Sequence, residues 1–391
     1  MSRIIEIIPE IREAIIETGG DDIFKCYQCG KCFSVCPWYQ VEKVDFPLYL
    51  IPQAVKLGII AASEDKDVIA QEVKEIYRCM GCEACINECP RGVGIHTIVR
   101  AVRRIFFEYG TIPAEIKSAS SKIYSTGNPL GEPAEKRNEW GVEQNVSAFE
   151  SQMEYLYSPC CVPAYDADLK IIAQSTAKVF NKAGVSFGIL GGAEMCCGES
   201  IRRVGSEKVF QTVAKSNIDA YKKAGVKKIV FTSPHCYTTY TNEYSEFGGV
   251  FETLHVTQLF YELISQKRLT PLKKIEKKVV YHDPCTLGRQ NKIYDEPREV
   301  LKSIPGLALL DVKDFNRRFS VCCGGGGGGV WLDTPAEERI TNIRLKQLAD
   351  TGAEIIAVAC PYCLQMFNDA IKVMNLSIEV KDISELLAMS L

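Results

Sequence analysis

The sequence predicts an α+β multidomain chain: a helical, cysteine-rich N-terminal module, then two copies of an α/β domain built on a parallel sheet. Three observations predict it. Cysteines fall into two runs of the same spacing between positions 26 and 89, separated by segments of helical periodicity. The second half of the chain repeats itself, with Pro159-Cys160 and Pro284-Cys285 lying 125 positions apart. Within each copy, short strand-like runs alternate with helical patterns.

The 391 residues suffice for two or three domains. Lys and Arg number 46 against 49 Asp and Glu, so the net charge of −3 argues for neither a nucleic-acid partner nor an anionic membrane surface. No stretch approaches 18 uninterrupted apolar residues, and no transmembrane segment is expected. The outlier is cysteine, with 18 residues against four histidines. In a reducing cytoplasm, the location this usage favours, such cysteines are metal ligands rather than disulfides. Residues 1–20, "MSRIIEIIPEIREAIIETGG", read as an amphipathic helix rather than a signal peptide. Pro9 suits a first helical position, Ile11, Ala14 and Ile15 share a face, and Gly19 and Gly20 end it.

"CYQCGKCFSVCP" places Cys26, Cys29, Cys32 and Cys36 before Pro37, and "CMGCEACINECP" places Cys79, Cys82, Cys85 and Cys89 before Pro90. Each is the C-x₂-C-x₂-C-x₃-C-P run that binds a [4Fe–4S] cube in ferredoxins. A tight loop turns three thiolates towards one cube, and the fourth, on the departing chain, reaches the other. The expected sets are therefore Cys26, Cys29, Cys32 and Cys89, and Cys79, Cys82, Cys85 and Cys36. Structural zinc usually takes two separated C-x₂-C pairs, which these complete runs do not resemble. Between the runs, "LYLIPQAVKLGII" and "DKDVIAQEVKEIYR", with Val68, Ile69, Val73 and Ile76 at helical spacing, predict a helical rather than a β-rich ferredoxin-type module. "GIHTIVRAVRRIFFEYG" continues as a helix to Gly110, with His96 a packing or surface residue. The module is assigned residues 1–117.

Residues 118–151, rich in Ser, Gly, Asn, Pro and charge, form a linker. Trp140 is expected to anchor it as an ordered strap. The copies follow at 152–268 and 269–391. "YLYSPCC" parallels "VVYHDPC", "MCCGES" parallels "VCCGGG", and "GVKKIVFTSPHC" parallels "GAEIIAVACPYC". The strand-like runs "EYLY", "FGIL", "KIVFT", "KVVYH", "FSV" and "EIIAVA" each precede a cysteine group. Ligands collect at the carboxyl ends of parallel strands, so cysteines from three strand ends can meet at one point.

Cys285, then Cys322-Cys323-Gly324, then Cys360-x-x-Cys363, with intervals of 36 and 36 residues, resembles the "CCG" domain of heterodisulfide reductase. The resemblance covers essentially the whole chain. A helical ferredoxin part fused to two CCG domains is the layout of that family's D subunit. The resemblance implies that Cys285, Cys322, Cys323, Cys360 and Cys363 bind a non-cubane [4Fe–4S] cluster and form the substrate-facing, catalytic site. It also implies electron supply from a flavoprotein, ferredoxin-type or cytochrome b subunit, as in related complexes of anaerobic metabolism, with membrane association only through such partners at the inner face.

The first copy departs from this pattern. Ser233-Pro-His-Cys236 lacks one cysteine, and Cys161 is an extra one beside Cys160. Cys160, Cys161, Cys196, Cys197 and Cys236 still make five. Three arrangements are open: Cys161 compensates and a second non-cubane cluster forms, a simpler cluster forms on fewer ligands, or the site is vestigial. One or two non-cubane clusters are thus expected beside two cubes.

His282, Asp283 and Arg289 lie around Cys285, and His235 precedes Cys236. Each could donate a proton to a leaving thiolate or tune a cluster, and each is also explained by hydrogen bonding at a strand end. His282 is the catalytic candidate among them, and His255 is expected to be structural. The run Gly324–Gly329 has no dinucleotide-binding context. Gly324, Gly326 and Gly327 are expected to let backbone approach a bulky cluster, leaving the second site open to a disulfide or thiol substrate and the first closed. Three functional classes follow. One is a partner-dependent disulfide-type reductase, and the second is a non-catalytic electron relay, flavoprotein-linked or of aromatic acyl-CoA reductase type. The third, a redox sensor, needs an output module that the sequence does not offer.

Overall fold

A computed structural model describes residues 9–42, 44, 46, 48–58 and 73–391. Val68 and Ile69, half of the periodic segment between the cysteine runs, lie outside these. Described residues before Ser147 contain no strand. The chain is helical over Pro9–Ile15, with Ile15 buried, and Gly19, at φ 100°, turns it out of the helix. The helix Ile95–Glu108 buries Ile95, Ile98, Val99, Val102 and Phe106 along one stripe, and it packs mainly on Pro9–Ile15, the turn after it and Ile51–Leu57 of the same module. The helix Ala114–Thr126 runs past the expected limit at residue 117 and ends at Gly127, in the left-handed region at φ 76°. The strap beyond it is ordered. Trp140 is buried edge-on against Tyr157, and Ala148 forms a parallel bridge to Ile189. No helix among the described residues is long and apolar enough to cross a membrane.

The two copies are built alike. In the first, β1 (Tyr155–Ser158), β2 (Phe187–Gly188), β3 (Lys228–Phe231) and β4 (Glu252–His255) form a parallel sheet of order β2-β1-β3-β4. In the second, β5 (Lys278–Tyr281), β6 (Ala308–Leu310), β7 (Ile355–Val358) and β8 (Glu379–Asp382) repeat it as β6-β5-β7-β8. The central strands are near-continuous apolar runs because helices cover both faces. Leu156, Tyr157, Val230, Phe231, Val279, Val280 and Ile356 are fully buried, each worth about 2 kcal/mol of burial.

The copies pack reciprocally. The helix Lys170–Lys182 of the first lies on Ile383–Met389 of the second, and Asp295–Lys302 of the second lies on Val256–Ser265 of the first. Equivalent elements exchange places across the interface, as a two-fold relation demands. His255 and Asp382 hold equivalent positions at the ends of β4 and β8, and both close a capping box on the following helix. His255 is therefore structural. In each sheet the strand order reverses between the two middle strands, and this switch point places a crevice at their carboxyl ends.

Candidate metal centre

The two N-terminal cysteine loops share a backbone design. Left-handed residues alternate along each: Gln28 and Gly30 (φ 60° and 76°) in the first, Gly81 and Glu83 (62° and 61°) in the second. Such alternation turns successive N–H groups inward, and Gln28 N–H donates to Cys26 Sγ at 3.4 Å. A short helix follows each loop, Lys31–Ser34 and Ala84–Glu88, and carries the fourth cysteine across to the other loop. One cavity is lined by Cys26, Cys29, Cys32 and Cys89, a second by Cys36, Cys79, Cys82 and Cys85. Burial, reinforced by Cys26, pushes the Cys32 thiol up to about 11, and burial likewise raises Cys36 and Cys85. Four soft sulfur donors converging on each cavity fit an iron–sulfur cube. His96 is half-buried beside Glu83, 3.4 Å away, and belongs to the packing of this loop.

The other ten cysteines sit at the switch points, all buried and unpaired by disulfides. Cys160 and Cys161 follow β1, Cys236 lies in the first turn of the helix Pro234–Asn242 after β3, and Cys196-Cys197 come from the loop after β2. Cys161 Sγ and Cys196 Sγ are 3.9 Å apart. In the second copy Cys285 follows β5, Cys360 and Cys363 flank the start of the helix after β7, and Cys322-Cys323 follow β6. Here Cys285 and Cys322 are 3.8 Å apart, and Cys323 and Cys363 3.3 Å. The glycine of each CCG triplet is required by its backbone. Gly198 and Gly324 sit at φ 80° and 91°, and their N–H groups donate to Cys196 Sγ at 3.5 Å and Cys322 Sγ at 3.4 Å.

Cationic and neutral donors surround the second set. Arg344 Nε donates to His282 Nδ1 at 3.1 Å, which fixes the tautomer that carries its proton on Nε2. That Nε2 is buried with no hydrogen-bond partner of ordinary geometry, and one ring nitrogen of His282 lies within 4.8 Å of the Cys323 and Cys363 sulfurs. Arg289 Nη2 is likewise buried and unpartnered, near Cys285, Cys322 and Cys82. Unanswered donors aimed at clustered thiols suit an anionic group held by sulfur. Asp283 has another role: both oxygens bind Arg298, at 2.6 and 2.9 Å, and one accepts from Arg317 N–H. It is an ion-pair anchor beneath the site.

The thiol sets are joined. Cys82, from the second ferredoxin-type cavity, stands beside Cys322, whose thiol, against burial and with help from Arg289, holds Cys82 down at about 6. Arg289 Nε donates to Cys82 O at 2.6 Å, and Gln290 Nε2 to Gly81 O at 3.0 Å. The glycine run lies in this seam. A Cβ at Gly326 would stand 2.5 Å from Met80 O, and one at Gly327 2.5 Å from Cys79 O. Arg103, fully buried, donates to Cys79 O (2.7 Å), Ile76 O, Gly327 O (3.0 Å) and Arg203 O. Gly324–Gly329 are all buried. Gly326 and Gly327 are bare because the cysteine loop of a neighbouring module approaches them, whereas Gly324 and Gly329 line a cavity with Met80, Ile340, Thr341 and Met366.

On its far side the second set meets the first copy. His235 lies beside Cys360 and pairs with Glu199 at 3.0 Å. Burial alone would lower the imidazole, but the Glu199 carboxylate and the Cys360 thiol together outweigh it and hold His235 well above its usual range. The His235 and Tyr362 rings, which occupy equivalent positions in the two copies, lie 4.9 Å apart, and Tyr362 Oη is 3.2 Å from Ser200 Oγ. Burial pushes Cys360 up, but hydrogen bonds from Cys363 and His235 hold it at about 6. Sequence reasoning gave no role to Arg103, Arg344, Glu199 or Tyr362. The signal for Arg103 was present: it stands inside the apolar stripe of its helix.

A family model described as "Cysteine-rich domain" matches residues 155–240 and 279–368, and a "4Fe-4S dicluster domain" model matches 22–93. Among curated relatives, an "EtfAB:quinone oxidoreductase" of Syntrophomonas wolfei is 33% identical over 94% of this chain and 58% of its own length. A "Probable iron-sulfur-binding oxidoreductase FadF" of Bacillus subtilis is 32% identical over 94% of this chain and 60% of its own. The chain thus spans about three-fifths of these two relatives. The D subunit of the "Dihydromethanophenazine:CoB--CoM heterodisulfide reductase" of Methanosarcina barkeri is 29% identical, with 94% of this chain and 93% of that one covered. With both family models matched and the D subunit aligned almost end to end, the chain belongs to the CCG-domain iron–sulfur oxidoreductases of the heterodisulfide reductase D-subunit type.

Proposed function

We propose that the chain is a partner-dependent iron–sulfur oxidoreductase subunit. Cys26, Cys29, Cys32 and Cys89 hold one cube, Cys79, Cys82, Cys85 and Cys36 a second, and the CCG cysteines one or two non-cubane clusters. When bound, these groups would supply single-electron carriage between a partner protein and a disulfide or thiol couple. The observation that carries the reading is the meeting of the Cys82 and Cys322 thiols, which makes the cysteine sets one series.

The chain's own residues set up that series. Of the cysteines only Cys29 is exposed, and Phe24 and Tyr27 are exposed beside it, which marks this end for a redox partner. Arg103 and Arg289 clamp the cysteine loop to the second CCG site through backbone carbonyls. Arg289 adds a positive charge at the seam, His282 directs an N–H at Cys323, and the covering elements exclude water. The printed name "EtfAB:quinone oxidoreductase" of one relative suggests an EtfAB or quinone partner. A second reading, a relay without its own substrate, is favoured by the burial of the CCG cysteines, none of which exceeds 9% exposure.

Anaerobic purification from the native host tests this. Iron content, the EPR response to a thiol–disulfide couple and the co-purifying subunits are read together. Iron with a thiol-responsive signal and a redox partner supports the reductase. Iron with no such response selects the relay. Zinc in place of iron overturns both.

A further inference from the structure

The first CCG site lacks the cysteine that Ser233 replaces, yet its five thiols reproduce the contact order of the complete second site. In the second site the contacts run Cys285–Cys322–Cys323–Cys363–Cys360. In the first they run Cys161–Cys196–Cys197–Cys236–Cys160. The middle three correspond by sequence. The ends are shifted by one residue. Cys160 aligns with Cys285, but it is Cys161 that touches Cys196, as Cys285 touches Cys322. Cys160 instead reaches Cys236, the contact that Cys360 makes with Cys363.

The backbone supplies the reason. Cys160 has φ 77° and ψ 154°, a conformation almost confined to glycine, whereas Cys285 is α-helical at φ −58° and ψ −39°. Nothing in helix capping requires this, because Cys160 makes no side-chain cap bond. The turn at Cys160 has one visible result: two consecutive cysteines both face the same set, and the two ends of the series meet at Cys160 and Cys161. In the second copy the residue after Cys285 is Thr286, which adds no sulfur.

We infer that the first CCG site is a complete five-thiolate iron–sulfur site, in which Cys160 supplies the sulfur lost at Ser233 and Cys161 takes the place that Cys285 holds in the second. This rests on the proposed function, since it takes the ligand to be an iron–sulfur cluster. Of the arrangements open from sequence, it selects compensation, with the roles of Cys160 and Cys161 exchanged from the expected ones. The strained backbone is what lets a vicinal pair stand in for two cysteines that the second copy draws from different strands.

The test compares anaerobically purified wild type with Cys160→Ser, Cys161→Ser and the double variant Cys160→Ser/Ser233→Cys, by iron per chain and by Mössbauer and EPR spectra. Cys160→Ser and Cys161→Ser are each expected to lose one cluster's iron and its spectrum while the ferredoxin-type signals persist, which also reports that the chain has folded. The double variant restores a cysteine where the second copy has Cys360, and it is expected to recover both iron and spectrum. Full iron in Cys160→Ser overturns this inference and leaves the proposed function standing. So does a double variant that keeps its ferredoxin-type signals and recovers nothing. Zinc in the wild type overturns both together.

Discussion

Replacing Gly327 with alanine tests the seam between the cysteine loop and the second CCG site. The new Cβ would stand 2.5 Å from Cys79 O and 3.0 Å from the carbonyl carbon and Cα of Met80. These are backbone atoms, so no flexible side chain can yield. A carbon and an oxygen need about 3 Å or more, so the loop has to retreat by about half an ångström. Overpacking of this kind costs about 1–3 kcal/mol. Gly327 also sits at φ 57°, where a Cβ adds about 1 kcal/mol. Arg103 spans the seam, binding Gly327 O on one side and Cys79 O on the other, so the retreat stretches that clamp for about 1 kcal/mol more. The sum is about 3–5 kcal/mol. Gly352→Ala is the control: it has φ 73° but nothing within 4 Å of its Cβ, so only the backbone term, about 1 kcal/mol, applies. Chemical denaturation followed by circular dichroism, with iron content, compares the two. Gly327→Ala should be the less stable by at least 2 kcal/mol and should weaken any magnetic interaction between the sites it separates. Equal stability and iron in the two variants would refute the packing argument and return the run to slack chain.

Other outcomes follow from buried charge. Arg103→Met leaves the carbonyls of Ile76, Cys79, Arg203 and Gly327 without their shared donor, and a loss of about 3 kcal/mol in urea unfolding is expected; Arg103→Lys should not restore it, because an ammonium cannot reach several acceptors in one plane. Burial raises the Asp382 carboxyl to about 7, against desolvation-free values near 4. A raised folded pKa contributes stability below the unfolded value and loses it as pH climbs through the folded one. Stability should therefore fall between about pH 4 and pH 7 with a slope of up to about 1.4 kcal/mol per unit from this group. Asp382→Asn should flatten that slope in urea midpoints measured across the window, and an unchanged slope would place the titration elsewhere.

Much of this was legible in the residues. The C-x₂-C-x₂-C-x₃-C-P runs announce crossed ligand sets because three thiols of a tight loop and one on the leaving chain cannot serve a single site as easily. The 125-residue repeat and its apolar runs announce two parallel sheets with cysteines at strand ends. What was hidden depends on backbone sign and on docking. Pro159-Cys160 aligns with Pro284-Cys285 in sequence, yet Cys161 and not Cys160 touches Cys196 as Cys285 touches Cys322, because a cysteine at φ 77° has no compositional signature. Gly326 and Gly327 read as room for a cluster because their true neighbour, the Cys79–Met80 backbone, lies some 250 positions away in another module. His235 belongs to the first copy by sequence and serves Cys360 of the second by position, a consequence of the reciprocal packing of the repeats.

The central claim is that the cysteine sets form one continuous series, with the second ferredoxin-type set meeting the second CCG site at Cys82 and Cys322. A potentiometric EPR titration of the anaerobically purified protein measures this directly. The account predicts that the signal assigned to the Cys36, Cys79, Cys82 and Cys85 set broadens or splits as the CCG site becomes paramagnetic, and that Cys322→Ser abolishes the effect while the ferredoxin-type signals remain. Signals that titrate without any mutual interaction at any potential would contradict it.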